Sequence, residues 1–272
     1  MKNLEKPFLS RDEIDGFELE TRRKYSGETA IGYSADTVSK RPVAGSCDYF
    51  NRLLEIRLNL AREHARGARV LDVGCATGAH LFELAPVLQS GVGIDFSFPL
   101  IKRALENRTS EGHERVEFVE GNARTLPFRG GTFDFVFSFS ALYYMPNVEE
   151  VVWEIARVLT TGGHCLVEMG NSCSLNAMVA DAYPELARSF HLTVSRMKLV
   201  LLRAGLKIIG HRAFQILPFW GERPRSLEFL LKPFWKRWLE KRVGGRMIDE
   251  WVSGLPLVQN AAFRHIFDCI KQ

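Results

Sequence analysis

The strongest constraint on this chain is an alternation that runs from residue 69 to residue 169. Short apolar runs at 69–73, 91–95, 116–120, 133–138 and 164–169 are interleaved with amphipathic segments at 79–88, 99–107 and 148–159. Segments of five or six residues rich in apolar side chains read as strands of a buried sheet; the longer periodic segments read as helices. Parallel strands joined through helices need right-handed crossovers, which place helices on both sides of the sheet. The expected fold is therefore α/β, with a doubly wound, mostly parallel sheet. Two more strands at 206–215 and 262–270 bring it to seven. A helix at 195–204, with Ser195 as N-cap and Gly205 past its end, leads into the first of these.

The flanks differ from this core. Residues 1–47 are polar, are punctuated by Gly16, Gly27, Gly32, Pro42 and Gly45, and read as an N-terminal lid. An apolar-faced helix follows at 48–66 and is broken by Gly67. The core then comprises 48–217 and 259–272, interrupted by a helical insertion at 218–258 that is too long for a plain loop. Within the insertion, 227–241 reads as a helix kinked at Pro233, and 246–251 as a second short helix ending at Gly254.

Net charge is +4 over 272 residues, too mild to imply a nucleic-acid partner. The excess is local: 221–246 carries eight basic residues against three acidic ones. Five cysteines (Cys47, Cys75, Cys165, Cys173, Cys269) include no C-x-x-C pair and are odd in number, so a reducing, cytoplasmic setting and no metal are expected. The start lacks a signal-peptide layout, and no apolar run approaches the ~18 residues of a membrane span.

The chemistry concentrates in 70–81, VLDVGCATGAHL, where a strand carrying Asp72 turns through Gly74 and Gly78 into a helix. Such a turn lets a ligand approach the backbone at the carboxyl edge of a parallel sheet. A dinucleotide fingerprint needs glycine at the first, third and sixth turn positions. Here they are Gly74, Ala76 and Ala79, so a nicotinamide-dependent dehydrogenase is the weaker alternative. The second strand ends in Asp95, 23 residues after Asp72, where a carboxylate accepts hydrogen bonds from a ribose diol. Phe96 follows, placed to cover an adenine face.

These motifs together resemble the class I S-adenosylmethionine-dependent methyltransferases, in particular the small-molecule branch of the ubiquinone and menaquinone biosynthesis enzymes. The resemblance covers about 48–210. It rests on Asp72, Gly74 and Gly78, on Gly121-Asn122-Ala123 where the family shows Gly-Asp-Ala, and on Leu126-Pro127-Phe128, 133–136 and Gly162-Gly163. It implies a Rossmann-like methyltransferase fold and S-adenosylmethionine as cofactor, with S-adenosylhomocysteine as product. The implied cofactor residues are Asp72, Gly74, Cys75, Gly78, Asp95, Phe96, Asn122, Ala123 and Ser138. Residues 138–144 would flank the methyl group, with Tyr143 and Tyr144 positioning the acceptor. His191 would border the pocket, and Tyr25 and Tyr33 would close over the cofactor. The segment 138–142, SFSAL, lacks the Asn/Asp-Pro-Pro-aromatic signature of adenine-amine methylation and any Pro-Cys nucleophile. A small-molecule or lipid-like acceptor, methylated at oxygen by in-line transfer, is expected. A protein that binds the cofactor without transfer is the alternative.

Strand six leaves the sheet on the cofactor side, so the insertion is expected to cap the acceptor pocket, with Trp235 and Trp238 lining it. The other readings are a peripheral contact with an anionic membrane that presents a lipid-linked acceptor, through Lys236, Arg237, Lys241 and Arg242, or a dimer contact.

Overall fold

The computed structural model describes residues 11–25, 47–183, 189–218 and 224–272. Seven strands form one sheet: β1 (Arg69–Val73), β2 (Ser90–Asp95), β3 (Val116–Glu120), β4 (Phe133–Ser138), β5 (Leu159–Gly170), β6 (Leu206–Phe214) and β9 (Arg264–Lys271). The order is β3-β2-β1-β4-β5-β9-β6. Strands β1 to β5 pair in parallel, whereas β9 lies antiparallel to both β5 and β6. Strand β6 therefore runs parallel to the first five, as the sequence implies. The strand order reverses at β1, with β2 and β3 laid to one side and β4 and β5 to the other, which leaves a crevice at the carboxyl ends of β1 and β4.

Side chains alternate across the sheet and build two cores. Phe135, Phe137 and Leu166 face α2 (Cys47–Ala65), α3 (Ala79–Leu84) and α4 (Phe98–Glu111). Val136, Cys165 and Val167 face α5 (Val148–Val158) and α7 (Val194–Arg203). Helix α5 shows why the pattern works: Val148, Val151, Val152, Ile155 and Ala156 recur on one face and are all buried, while Trp153 points outward. An N-terminal helix, α1 (Arg11–Tyr25), and a short α6 (Leu175–Asp181) lie near the carboxyl edge of the sheet, α1 reaching the cleft described below.

Several local expectations are corrected. Thr193, not Ser195, caps α7, accepting from Arg196 N. The first helix after β1 stops at Leu84. In the insertion the long kinked helix does not form. Instead a single turn at Arg225–Leu227 precedes α8 (Pro233–Leu239), which begins at Pro233. Proline lacks an N–H, and the first helical turn is where that loss costs nothing. Residues Arg242–Val243 (β7) and Arg246–Met247 (β8) pair across Gly244-Gly245, both at positive φ, so the next helix, α9, is confined to Ile248–Ser253.

Replacing Ile155, fully buried on α5, with alanine is expected to cost about 2–5 kcal/mol in chemical unfolding. Trp153→Ala, on the exposed face of the same helix, should stay within about 0.5 kcal/mol. Equal effects would contradict the assigned faces.

Candidate functional site

A cleft opens at the carboxyl edge of the sheet, with about 870 Å³ of empty space continuous with solvent. Gly74, Ala76, Ile94, Asp95, Phe96, Gly121, Asn122, Ala123, Ser140 and Tyr144 contribute to its walls. The turn after β1 is anchored by Gly74 N and Cys75 N, which both donate to Ile94 O (2.8 and 3.1 Å). Gly74 has φ +79, and a Cβ there would collide with Ala141, so the close approach of the two loops requires glycine. Ala76 also takes a positive φ (+47), a left-handed conformation costly for an L-residue, beside the cleft.

Asp95 is buried at the end of β2. Its two carboxylate oxygens accept from Ala76 N and Ser97 N, both at 3.0 Å. Burial, the largest influence, raises its pKa in spite of these donors. The Phe96 backbone N–H is a further donor to this carboxylate, which lies in the cleft wall. Phe96 packs with Ala76, Leu100 and Tyr144 as an apolar wall beside it.

Of the nine residues expected at the cofactor, Gly74, Asp95, Phe96, Asn122 and Ala123 line the cleft, and Asp72, Cys75, Gly78 and Ser138 do not. Asp72 lies within β1, and burial, followed by the charge of Asp95, pushes its pKa well up. Its Oδ2 is buried without a hydrogen bond among the described residues. Cys75 is buried behind the turn against Gly93, and Gly78 is kept bare by the ring of Phe118. Ser138 donates to Val73 O (2.8 Å), clamping β4 to β1. Tyr144 lines the cleft, whereas Tyr143 lies behind it, with its ring 5.7 Å from that of His191. His191 stacks edge-on against Phe263 and does not reach the cleft wall. The side chain of Tyr25, and all of Tyr33, lie outside the described residues.

Two features escape the sequence. Helix α1 places Glu18 and Thr21 in the cleft wall. Asn122 donates to the Glu18 carboxylate (3.2 and 3.3 Å), and Arg124 Nε donates to it at 2.7 Å. Position 122 lacks a charge of its own and instead holds a carboxylate from the N-terminal segment. The second feature lies behind Ser140. Arg57 on α2 grips Glu168 on β5 with two bonds of 2.6 Å, and Arg264 on β9 adds a third of 2.6 Å. Ser140, at φ +54, accepts from Arg57 (2.5 Å) and Arg264 (3.2 Å) and faces the cleft. Burial, the largest influence, would raise the Glu168 pKa, but the two guanidiniums together outweigh it and hold it at about 2.

Trp235 and Trp238, expected to line the pocket from a cap, are not among the residues that line this cleft. The insertion packs instead beside α2: Glu250 pairs with Arg52 (2.7 Å), and Asp249 accepts from Gln215 N and Ile216 N. The aromatic groups contact one another, and Phe229, Phe234 and Trp238 remain exposed.

A family model described as a methyltransferase domain matches residues 64–216. A demethylmenaquinone methyltransferase of Lactococcus lactis is 39% identical over 100 residues, covering 36% of this chain and 40% of that protein. A phosphatidylethanolamine N-methyltransferase of Cereibacter sphaeroides is 39% identical over 115 residues, covering 41% and 55%. The chain thus spans less than two-thirds of the length of either relative. Among solved structures, the YcgJ protein of Bacillus subtilis superposes with a TM-score of 0.56 at 22% identity, over 80% of this chain and 99% of that one. That likeness shows the fold.

Because its folded-state pKa lies below the unfolded value of about 4.5, Glu168 contributes stability in full above that pH and loses it as pH falls toward 2. Glu168→Gln should therefore flatten the acid limb of the stability profile. At neutral pH it should cost about 3–5 kcal/mol, because two buried guanidiniums lose their anion. An unaltered acid limb would show that the triad carries no net pairing energy.

Proposed function

The chain belongs to the methyltransferase-domain family, and on that premise we propose that it transfers a methyl group from S-adenosylmethionine to an oxygen of a small, lipid-like acceptor. The observation that carries the cofactor reading is Asp95: a buried strand-end carboxylate, anchored by the backbone N–H groups of Ala76, Ser97 and Phe96, beside the apolar Phe96 ring and a glycine-kept approach at Gly74. These residues fit a ribose diol and an adenine face. Glu18, held by Asn122 and Arg124, is placed to accept from the adenine amine in the role the family gives an acid at position 122. When bound, S-adenosylmethionine supplies a sulfonium-activated methyl group, so the protein's task is alignment and exclusion of water.

The oxygen preference rests on Ser140. Behind its hydroxyl two guanidiniums face one carboxylate, a buried excess of positive charge at the cleft wall. That field favours an acceptor oxygen carrying partial or full negative charge, and Ser140 is placed to orient it. Tyr144 supports the acceptor from the opposite part of the loop.

The lipid-like character rests on the insertion. Exposed Phe229, Phe234, Trp238 and Trp251 lie in a segment with Lys232, Lys236, Arg237 and Lys241, the composition of a surface that rests on an anionic bilayer. Both curated relatives named above carry a lipid or a lipid-like quinone in their names.

Calorimetry is expected to show binding of S-adenosylhomocysteine and none of NAD; the reverse would overturn the cofactor reading. Asp95→Ala should weaken S-adenosylhomocysteine at least tenfold, the loss of charge-assisted bonds worth about 1.5–3 kcal/mol, with unfolding still cooperative. Wild-type protein should sediment with phosphatidylglycerol vesicles at low salt and be released as salt rises. The double variant Trp235→Ala/Trp238→Ala should no longer sediment yet should keep its affinity for S-adenosylhomocysteine. Absence of salt-sensitive sedimentation would remove the membrane reading and leave the cofactor reading intact.

A further inference from the structure

The three elements that carry Arg57, Glu168 and Arg264 bring a second trio together farther from the cleft. His64 lies seven residues beyond Arg57 on α2, about two helical turns. His164 lies four residues before Glu168 on β5, and Asp268 four residues after Arg264 on the antiparallel β9. An even step along a strand returns a side chain to the same face, so both trios sit between α2 and the sheet. Two turns of helix and four strand residues span comparable distances, about 10 and 13 Å. The match in spacing brings the second trio together as it does the first.

The trio brings together the donor atoms of a ligand set. His64 Nε2 lies 3.1 Å from Asp268 Oδ2, and His164 Nδ1 lies 3.8 Å from Asp268 Oδ1. The two imidazoles stack with centroids 4.3 Å apart. One atom from each residue lies within 4.8 Å of the others. His164 Nδ1 and Asp268 Oδ1 are both buried, and no hydrogen bond reaches either among the described residues. Leaving two facing buried polar atoms unbridged is costly, and their separation is too long for a direct bond. It suits an ion between them, since ligands at about 2.0–2.1 Å from a tetrahedral zinc are roughly 3.3–3.5 Å apart. The side chains keep 14%, 31% and 20% of their exposure, so the site is walled but reachable from solvent.

We infer that His64, His164 and Asp268 form a binding site for one divalent transition-metal ion, Zn²⁺ by the chemistry of the donors, with water completing the coordination. Two imidazoles and a carboxylate suit zinc, whereas calcium and magnesium prefer all-oxygen sets. The site is remote from Ser140 and Asp95, so its role is to clasp the end of α2 to β5 and β9. No metal-ligand spacing is visible in the chain, because the three residues are far apart in sequence and meet only through the fold. The inference does not depend on the cofactor reading.

The test uses untagged, chelator-stripped protein titrated with ZnCl₂ in a calorimeter. One ion per chain should bind with a dissociation constant at or below the micromolar range, and Zn²⁺ should raise the melting temperature. Co²⁺ in its place should give the visible absorption of a four-coordinate site. His164→Ala and Asp268→Asn should each weaken Zn²⁺ at least tenfold and abolish the thermal shift, with S-adenosylhomocysteine affinity unchanged. His64→Gln provides an independent variant if either of these fails to fold. Failure of the folded wild type to bind Zn²⁺, or binding that persists in the folded variants, overturns the site.

Discussion

The fold around the cleft depends on a buried carboxylate held between two guanidiniums. Glu168 sits in the middle of the sheet with no exposure, and an unpaired charge there would cost more than the whole domain can spare. Arg57 and Arg264 make the burial tolerable and in doing so fix helix α2 and the antiparallel strand β9 against β5. The pairing specifies position more than it adds stability, because three desolvation penalties offset most of its attraction. Ser140 joins the network in a left-handed conformation, so a strained loop at the cleft is held by the same charges.

At the other end of the cleft, backbone geometry does the holding. The turn after β1 passes close enough to Ala141 that no side chain fits at Gly74, and its amide groups are tied to β2. Asp95 closes the arrangement by accepting from the turn and from the start of α4 with one carboxylate. A site built this way is preorganised: the acceptor atoms for a ligand are already oriented by bonds that do not involve it. Helix α1 adds Glu18 through Asn122 and Arg124, so α1 is part of the cleft wall.

The insertion shows how one proline and two glycines redirect a segment. Read by periodicity alone, 227–241 is a long amphipathic helix. Pro233 starts the helix in place of kinking it, and Gly244-Gly245 reverse the chain into a hairpin. The segment is thereby shortened and drawn beside α2, where Glu250 meets Arg52. Its aromatic residues are left on the outside, with the basic residues among them.

The alternation of apolar runs determined the first five strands, their parallel sense and the helices between them, because periodicity is a local property that each segment carries by itself; the antiparallel seat of β9 between β5 and β6 came only with the tertiary structure. The strand-end acid Asp95, the turn at Gly74 and the loop at 121–123 were legible for the same reason: each is a short motif at a fixed place relative to its strand. Asp72, Cys75 and Ser138 belong to those motifs yet face the interior, since a motif marks a segment and not the direction of each side chain. Only the tertiary structure decided that Glu18 would stand beside Asn122, that Arg57 and Arg264 would share Glu168, and that His64, His164 and Asp268 would converge. Those contacts join residues 96 to 204 positions apart. Nothing in the local pattern of either partner encodes the other, and the pairing exists only once the sheet has placed its strands side by side.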